Sequence, residues 1–225
     1  MIIVTGASRG LGRAICERLI RLDHEVLGVA RDVSALAFPA MACDVSSYDE
    51  VKRVAQSIKA TGGRVAGLIN VAGVAAMNLA LTTPPQVTKH LIEVNLMGTI
   101  FCCQQFAPLL IRNKAGSIIN FSTIAVALGL KGESIYAASK AGIEGFSRAF
   151  AREMADFSIN VNCIAPGPIA TDLLQGVTPK QVANIVTRQI IQKQFTADDV
   201  CDLVELLLSP LSGAISGQVL HVGGA

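Results

Sequence analysis

The chain has no Trp, two Tyr and eight Phe, so aromatics are only 4% of its 225 residues. Its core must be built from Ala, Val, Ile and Leu, which suits helices packed closely on a parallel sheet. Charge is scarce too: Asp, Glu, Lys and Arg make up 16%, and the formal net charge is +2. That balance carries no electrostatic footprint for nucleic acid or a membrane surface. The three His residues (His24, His90, His221) are scattered, and none of the six Cys (Cys16, Cys43, Cys102, Cys103, Cys163, Cys201) forms a C-x-x-C pair. A metal site therefore has no support, and the thiols read as small buried hydrophobes in a reducing compartment. No basic region followed by an apolar stretch and a cleavage site opens the chain, so no secretory leader is expected.

What is present is apolar: 51% of the residues are hydrophobic, which excludes disorder as a global description. The mean hydropathy of +0.50 raises the question of a membrane span. The longest uncharged run, residues 65–88, contains Asn70, Asn78, Gly67, Gly73 and Pro84-Pro85. Residues 94–111 are uncharged as well but carry Asn95, Gln104, Gln105 and Pro108. Neither makes a good spanning helix, and the cytoplasm is the expected compartment.

Short apolar runs alternate with helical patterns. Strands are expected at residues 2–4, 25–29, 40–43, 65–70, 117–121, 159–164 and 218–222. Helices are expected at 11–22, 47–61, 85–112, 134–156, 179–188 and 197–208. Alternation of this kind implies an α/β fold with a doubly wound parallel sheet. No linker or repeat interrupts it, so residues 1–225 are expected to form a single domain. The stretch 32–41 is too short for a crossover helix, and a loop is expected there.

Between the first strand and first helix lies Thr5-Gly6-Ala7-Ser8-Arg9-Gly10-Leu11-Gly12. Glycines permit unusual backbone angles and let a ligand approach the chain closely. The free N–H groups and dipole at the helix start then favour a pyrophosphate, a Rossmann-type arrangement. NAD sites carry an acid about 20 residues beyond the glycines, for the ribose 2′-hydroxyl. Here that position is Ala30, followed by Arg31, and Arg9 lies within the turn. Two guanidiniums and no acid suit a 2′-phosphate, so NADP(H) is the expected cofactor. Asp32 reads as a solvated turn residue.

Both tyrosines have a Lys four residues on, Tyr48 with Lys52 and Tyr136 with Lys140. At that spacing the two side chains share a helix face. An ammonium beside a phenol is expected to lower the phenol's pKa and fit it for proton transfer to a carbonyl. Only Tyr136 lies among further motifs: Asp44-Val45, Asn70-Val71-Ala72-Gly73, Asn95, and Pro166-Gly167-Pro168-Ile169-Ala170-Thr171.

With these motifs in this order, the sequence resembles the short-chain dehydrogenase/reductase family from residue 2 to about residue 223. Within it, residues 137–153, Asn160-Val161-Asn162 and 217–223 resemble the 3-oxoacyl-[acyl-carrier-protein] reductases. The resemblance implies a catalytic set of Asn95, Thr123, Tyr136 and Lys140. Tyr136 would be the general acid. Lys140 would also bind the nicotinamide ribose, and Asn95 would hold a water behind Lys140 in a distorted helix. Thr123 stands 13 residues before Tyr136, where the family usually has Ser, and neighbouring Ser122 should point the other way. The cofactor set would be Gly6, Ser8, Arg9, Gly10, Leu11, Gly12, Arg31, Asp44, Val45, Asn70, Ala72, Gly73, Tyr136, Lys140, Pro166, Gly167, Ile169 and Thr171. Asp44 would meet the adenine amino group, and Ile169 and Thr171 the carboxamide. Val71 replaces a family Asn.

The implied function is NADPH-dependent reduction of a ketone, foremost a 3-oxoacyl thioester on acyl-carrier protein or CoA. Another carbonyl reductase or alcohol dehydrogenase, or a nucleotide-binding regulator without catalysis, stays open. An apolar lid is expected from residues 173–194, built from Leu173, Leu174, Val177, Val182, Ile185, Val186, Ile190 and Ile191. Arg112, Lys114 and Lys131 are candidate contacts for an acidic carrier protein. The family's usual assembly implies a homotetramer.

Overall fold

The computed structural model describes residues 1–170 and 178–225. Seven strands, β1 (Ile2–Thr5), β2 (Val26–Ala30), β3 (Ala40–Ala42), β4 (Gly67–Asn70), β5 (Gly116–Phe121), β6 (Ile159–Ala165) and β7 (Val219–His221), form one sheet. Their order is β3-β2-β1-β4-β5-β6-β7, and every neighbouring pair is parallel. All seven expected strands are present. The chain runs outward from β1 to β3 and returns to β4 on the other side of β1. The switch point therefore lies between β1 and β4, where open α/β sheets bind ligands beyond the carboxyl ends of their strands.

Both faces of the sheet are covered, because successive strand residues point to opposite sides. Ile3, Leu68 and Ile118 face one core with Val54, Phe106 and Phe150. Ile2, Val4, Ile69 and Ile119 face the other with Ile15, Leu19, Val204 and Leu207. The helices supplying these partners are α1 (Gly10–Arg21), α2 (Tyr48–Thr61), α4 (Gly98–Ile111), α6 (Ser134–Ala155) and α8 (Ala197–Leu208), with shorter α3 (Pro85–Leu91), α5 (Ile124–Leu128) and α7 (Pro179–Val186). All six cysteines are buried and unpaired, and burial raises every one of their pKa values. They are packing residues.

Three local features refine the sequence reading. Residues 31–39 join β2 to β3 with no helix, as their number requires. The expected helix at 85–112 is interrupted by a π-helical turn, Ile92–Met97, between α3 and α4. The whole run Pro85–Ile111 is 27 residues long and apolar enough to cross a membrane, yet half of its most apolar window is buried in the fold. Helix α5, absent from the sequence reading, is one short turn capped by Thr123, whose hydroxyl accepts from the Ala125 N–H at 3.3 Å.

Leu68 is fully buried at the centre of the sheet, whereas Leu206 on α8 is 42% exposed. Leu68→Ala is expected to cost about 2–5 kcal/mol and Leu206→Ala no more than about 0.5 kcal/mol, read from urea unfolding.

Candidate active site

The ends of β1 and β4 are held together by backbone contact. Gly6 has φ +71°, and a Cβ on it would lie 2.8 Å from the Ala72 backbone. A Cβ at Gly12 would strike the Gly6 carbonyl, so α1 begins directly against the turn. The Thr5 hydroxyl accepts from the Ala72 N–H at 3.2 Å and ties the two strand ends. Gly10 is also left-handed, at φ +54°. Side chains are thus excluded from a cradle of N–H groups at a helix start, and this fits a pyrophosphate.

The cradle forms one wall of a cleft of about 780 Å³. Among the expected site residues, Gly6, Ser8, Arg9, Gly10, Leu11, Gly12, Arg31, Asp44, Val45, Ala72, Gly73, Thr123, Tyr136, Lys140, Pro166, Gly167 and Ile169 line it. Thr171 and the lid residues Leu173, Leu174 and Val177 lie outside the described residues. Of the other lid residues, Ile185 reaches the cleft, while Ile190 and Ile191 are 75% and 55% exposed.

At the adenosine end, Ala30 closes β2 with no acid. Arg9 and Arg31 are exposed beside it. Asp32 turns onto its own loop, accepting from the Ser34 N–H at 3.0 Å and the Ser34 hydroxyl at 2.7 Å. Those bonds hold its carboxyl below the usual range. Asp44 does the same with Ser46, and against the effect of burial these bonds and Arg31 keep it low.

At the other end, α6 carries Tyr136 and Lys140 on one face, both buried. The Lys140 Nζ donates to the Phe121 carbonyl at 2.9 Å, and burial pulls its pKa down to about 8. Burial, then the charge of Glu133, pushes Tyr136 up to about 12, while a hydrogen bond with the Thr123 hydroxyl opposes the rise. The expected lowering of Tyr136 by Lys140 is therefore corrected: desolvation dominates, and the ammonium is bonded to a carbonyl behind the phenol. Thr123 reaches Tyr136, whereas the Ser122 hydroxyl donates to Glu144 at 2.6 Å. Tyr48 stands away from the cleft, 41% exposed, its hydroxyl accepting from Gln105.

Asn70, Arg112 and Lys114 lie elsewhere than expected, and Asn95 has partners the sequence does not show. The Asn70 side chain is absent from the cleft wall; it donates to Asn120 at 2.8 Å between β4 and β5, inside the sheet. Asn95 sits in the π-helical turn as a fully buried clasp behind the wall. Its amide donates to the Val74 carbonyl and to Ser139, and its Oδ1 accepts from the Val74 N–H. Both side-chain N–H groups are spent on protein, so a water at Asn95 would be held by one of its oxygens. Arg112 and Lys114 lie where α4 hands over to β5, at the amino ends of the strands and opposite the cleft. Lys131 alone of the three is at the cleft end, between the lining residues Leu130 and Glu133.

Glu133 is a charged cleft residue that the sequence reading did not single out. It lines the cleft, is 8% exposed, and stands at the N-cap of α6, three residues before Tyr136. The i, i+3 spacing was visible; the burial of its carboxyl was not.

Comparison with known proteins agrees with this geometry. A family model described as short chain dehydrogenase matches residues 1–182. The chain belongs to the short-chain dehydrogenase family. It is 33% identical over 236 aligned positions to the 3-oxoacyl-[acyl-carrier-protein] reductase of Staphylococcus epidermidis, covering 99% of this chain and 96% of that one. It is 34% identical to carbonyl reductase family member 4 of Xenopus tropicalis, covering 98% and 95%. Among solved structures, the ligand-free aldohexose dehydrogenase of Thermoplasma acidophilum superposes with a TM-score of 0.89 at 28% identity, over 99% of this chain and 92% of that one. ElxO with NADP bound gives 0.89 at 25% identity, over 98% and 96%. As a short-chain dehydrogenase the protein is an oxidoreductase that uses a nicotinamide cofactor, and the glycine cradle fits one.

Two tests follow from the burial of the site. Thr123→Ala is expected to lower kcat about a hundredfold, the usual scale for losing one hydrogen-bond donor to a reacting oxygen, with Ser122→Ala changing it far less. Lys140 ordinarily holds its proton to 10.5 but in the fold only to about 8. Between those values the unfolded chain binds the extra proton, so this group makes stability rise with pH. The stability of Lys140→Met relative to wild type should therefore fall by up to about 3 kcal/mol from pH 7 to pH 10.5, measured by urea unfolding.

Proposed function

We propose that the protein is an NADPH-dependent reductase of ketones, with a 3-oxoacyl thioester on acyl-carrier protein or CoA as substrate. The observation that carries the reaction is the meeting of Thr123, Tyr136 and buried Lys140 on one wall of the cleft. The cofactor preference rests on Ala30 in place of an acid, on exposed Arg9 and Arg31, and on Asp32 being engaged with Ser34. Likeness to the staphylococcal 3-oxoacyl reductase over nearly the whole chain supports the substrate class.

Gly6, Ser8, Arg9, Gly10, Leu11 and Gly12 would hold the pyrophosphate side, with Arg31 on the 2′-phosphate and Asp44 and Val45 beside the adenine. Ala72, Gly73, Pro166, Gly167 and Ile169 would bound the cofactor on the remaining sides, and Thr171 completes the set. When bound, the nicotinamide supplies the hydride. Thr123 donates its hydroxyl hydrogen to the substrate carbonyl oxygen and fixes it beside Tyr136. Tyr136 gives its phenolic proton to that oxygen, so the Tyr O–H bond breaks as the alcohol O–H bond forms. A phenol pushed up to about 12 keeps its proton at neutral pH, which suits the acid role. Lys140 places positive charge behind the tyrosinate that results. Asn95 holds the Val74 backbone to Ser139, and Ser139 donates to the Tyr136 carbonyl at 2.7 Å, so it positions α6. Gly73 leaves room for the Lys140 head, since a Cβ there would lie 3.3 Å from its Nζ.

We read residues 1–225 as one cytoplasmic unit, assembled as a homotetramer through α4 and α6. Exposed Ala138, Ala141, Gly145 and Ala149 give α6 a flat outer face that supports close helix packing between copies.

Oxidation of NADPH and NADH should be followed with acetoacetyl thioesters, simple ketones and aldoses. The expected result is turnover of the thioester with a lower KM for NADPH than for NADH. Turnover of simple ketones alone would favour the carbonyl reductase reading, and cofactor binding without turnover the regulator.

A further inference from the structure

Tyr136 lies between two side chains of opposite charge, Glu133 at the N-cap of α6 three residues before it and Lys140 on α6 four residues after. Lys140 has a partner in the Phe121 carbonyl. Glu133 has none: burial is the sole influence on its carboxyl, with no hydrogen bond or neighbouring charge to offset it among the described residues. The residue is 8% exposed, and its side chain borders the cleft beside Leu130 and Tyr136. Burying an unpaired carboxylate is costly, and such groups collect at sites where a ligand meets them.

The surroundings narrow what that ligand can be. Ala76, Met77, Ala125, Leu130 and Ile185 make the wall of this end of the cleft apolar. Little there screens a charge, so the field of Glu133 acts on whatever is seated next to Tyr136. That field already contributes to the upward shift of the Tyr136 phenol. An anion in the same place meets repulsion from Glu133, whereas a neutral group, or one with a hydrogen to donate, meets none.

We propose that Glu133 is a specificity-determining residue that admits ketones whose neighbouring acyl group is uncharged, such as a thioester, ester or amide, and rejects the corresponding free 3-oxo carboxylate. The proposal deepens the reductase reading and rests on it only for the assay. It gives the site a way to distinguish a carrier-linked 3-oxoacyl group from the hydrolysed acid of the same carbon skeleton. Rejection by an unpaired like charge is a repulsive element, and specificity built this way needs no added contact to the accepted substrate.

The test compares ethyl acetoacetate with acetoacetate at pH 8, with NADPH, on wild type, Glu133→Gln and Glu133→Asp. Wild type is expected to favour the ester in kcat/KM. The ester-to-acid ratio should fall roughly tenfold or more in Glu133→Gln, on the scale of one removed charge at contact range, and persist in Glu133→Asp, which keeps the charge. A wild-type enzyme that turns over the acid as well as the ester overturns the proposal without any variant. So does a Glu133→Gln ratio equal to that of wild type, or a loss of both substrates in equal proportion. If no ketone is reduced, the reductase reading fails. The same ratio is then read as binding to NADPH-loaded protein, from the quench of cofactor fluorescence.

Discussion

Gly6 and Ala72 meet backbone to backbone where the ends of β1 and β4 part, with no side chain between them. The rest of the site depends on this contact. It lets α1 start against the turn, leaves N–H groups facing the cleft, and sets the loop 71–74 at the distance where Asn95 can clasp Val74. From Asn95 the link continues through Ser139 to α6, so the cradle at one end of the cleft and Tyr136 at the other are held in one hydrogen-bonded frame.

At the Tyr136 end, burial outweighs attraction between side chains. Tyr136, Lys140 and Glu133 are all enclosed, and each is driven toward its neutral form: the phenol and carboxyl upward, the ammonium downward. A simple pairing of ammonium with phenol would have moved Tyr136 the other way. In an apolar enclosure the loss of water is the larger effect, and the Phe121 carbonyl, as hydrogen-bond partner, takes up the Lys140 head. The outcome is a phenol that retains its proton, an acid suited to reduction.

The strands and long helices were legible because their signals are local: apolar runs bounded by turns, and 3.6-residue periodicity. Helix α8 has the bounds its pattern implies. A helix distortion at Asn95 was implied by the resemblance, and it takes the form of the π-helical turn Ile92–Met97; the short α5 was not legible, since it rests on a single Thr123 cap. The motif residues of the cradle and the Tyr136–Lys140 pair, far apart in the sequence, line one cleft. Arg112 and Lys114 were misplaced because charge in a sequence carries no information about which end of a parallel sheet it decorates. Asn70 was misplaced because its side chain turns to Asn120 on a strand 50 residues further along.

By itself, the sequence determined the α/β alternation, the position of the glycine turn after the first strand, the lack of an acid at Ala30, and the choice of Tyr136 over Tyr48 by the motifs around it. These follow from residue type and spacing along the chain. The tertiary structure alone decided that the Ser122 hydroxyl is spent on Glu144 and Asp32 on Ser34, that Asn95 is a clasp, and that Glu133 is an unpaired carboxyl in the cleft wall. Each of those depends on which distant groups share an enclosed space, because burial and partner geometry, not identity, set the chemistry of a polar side chain.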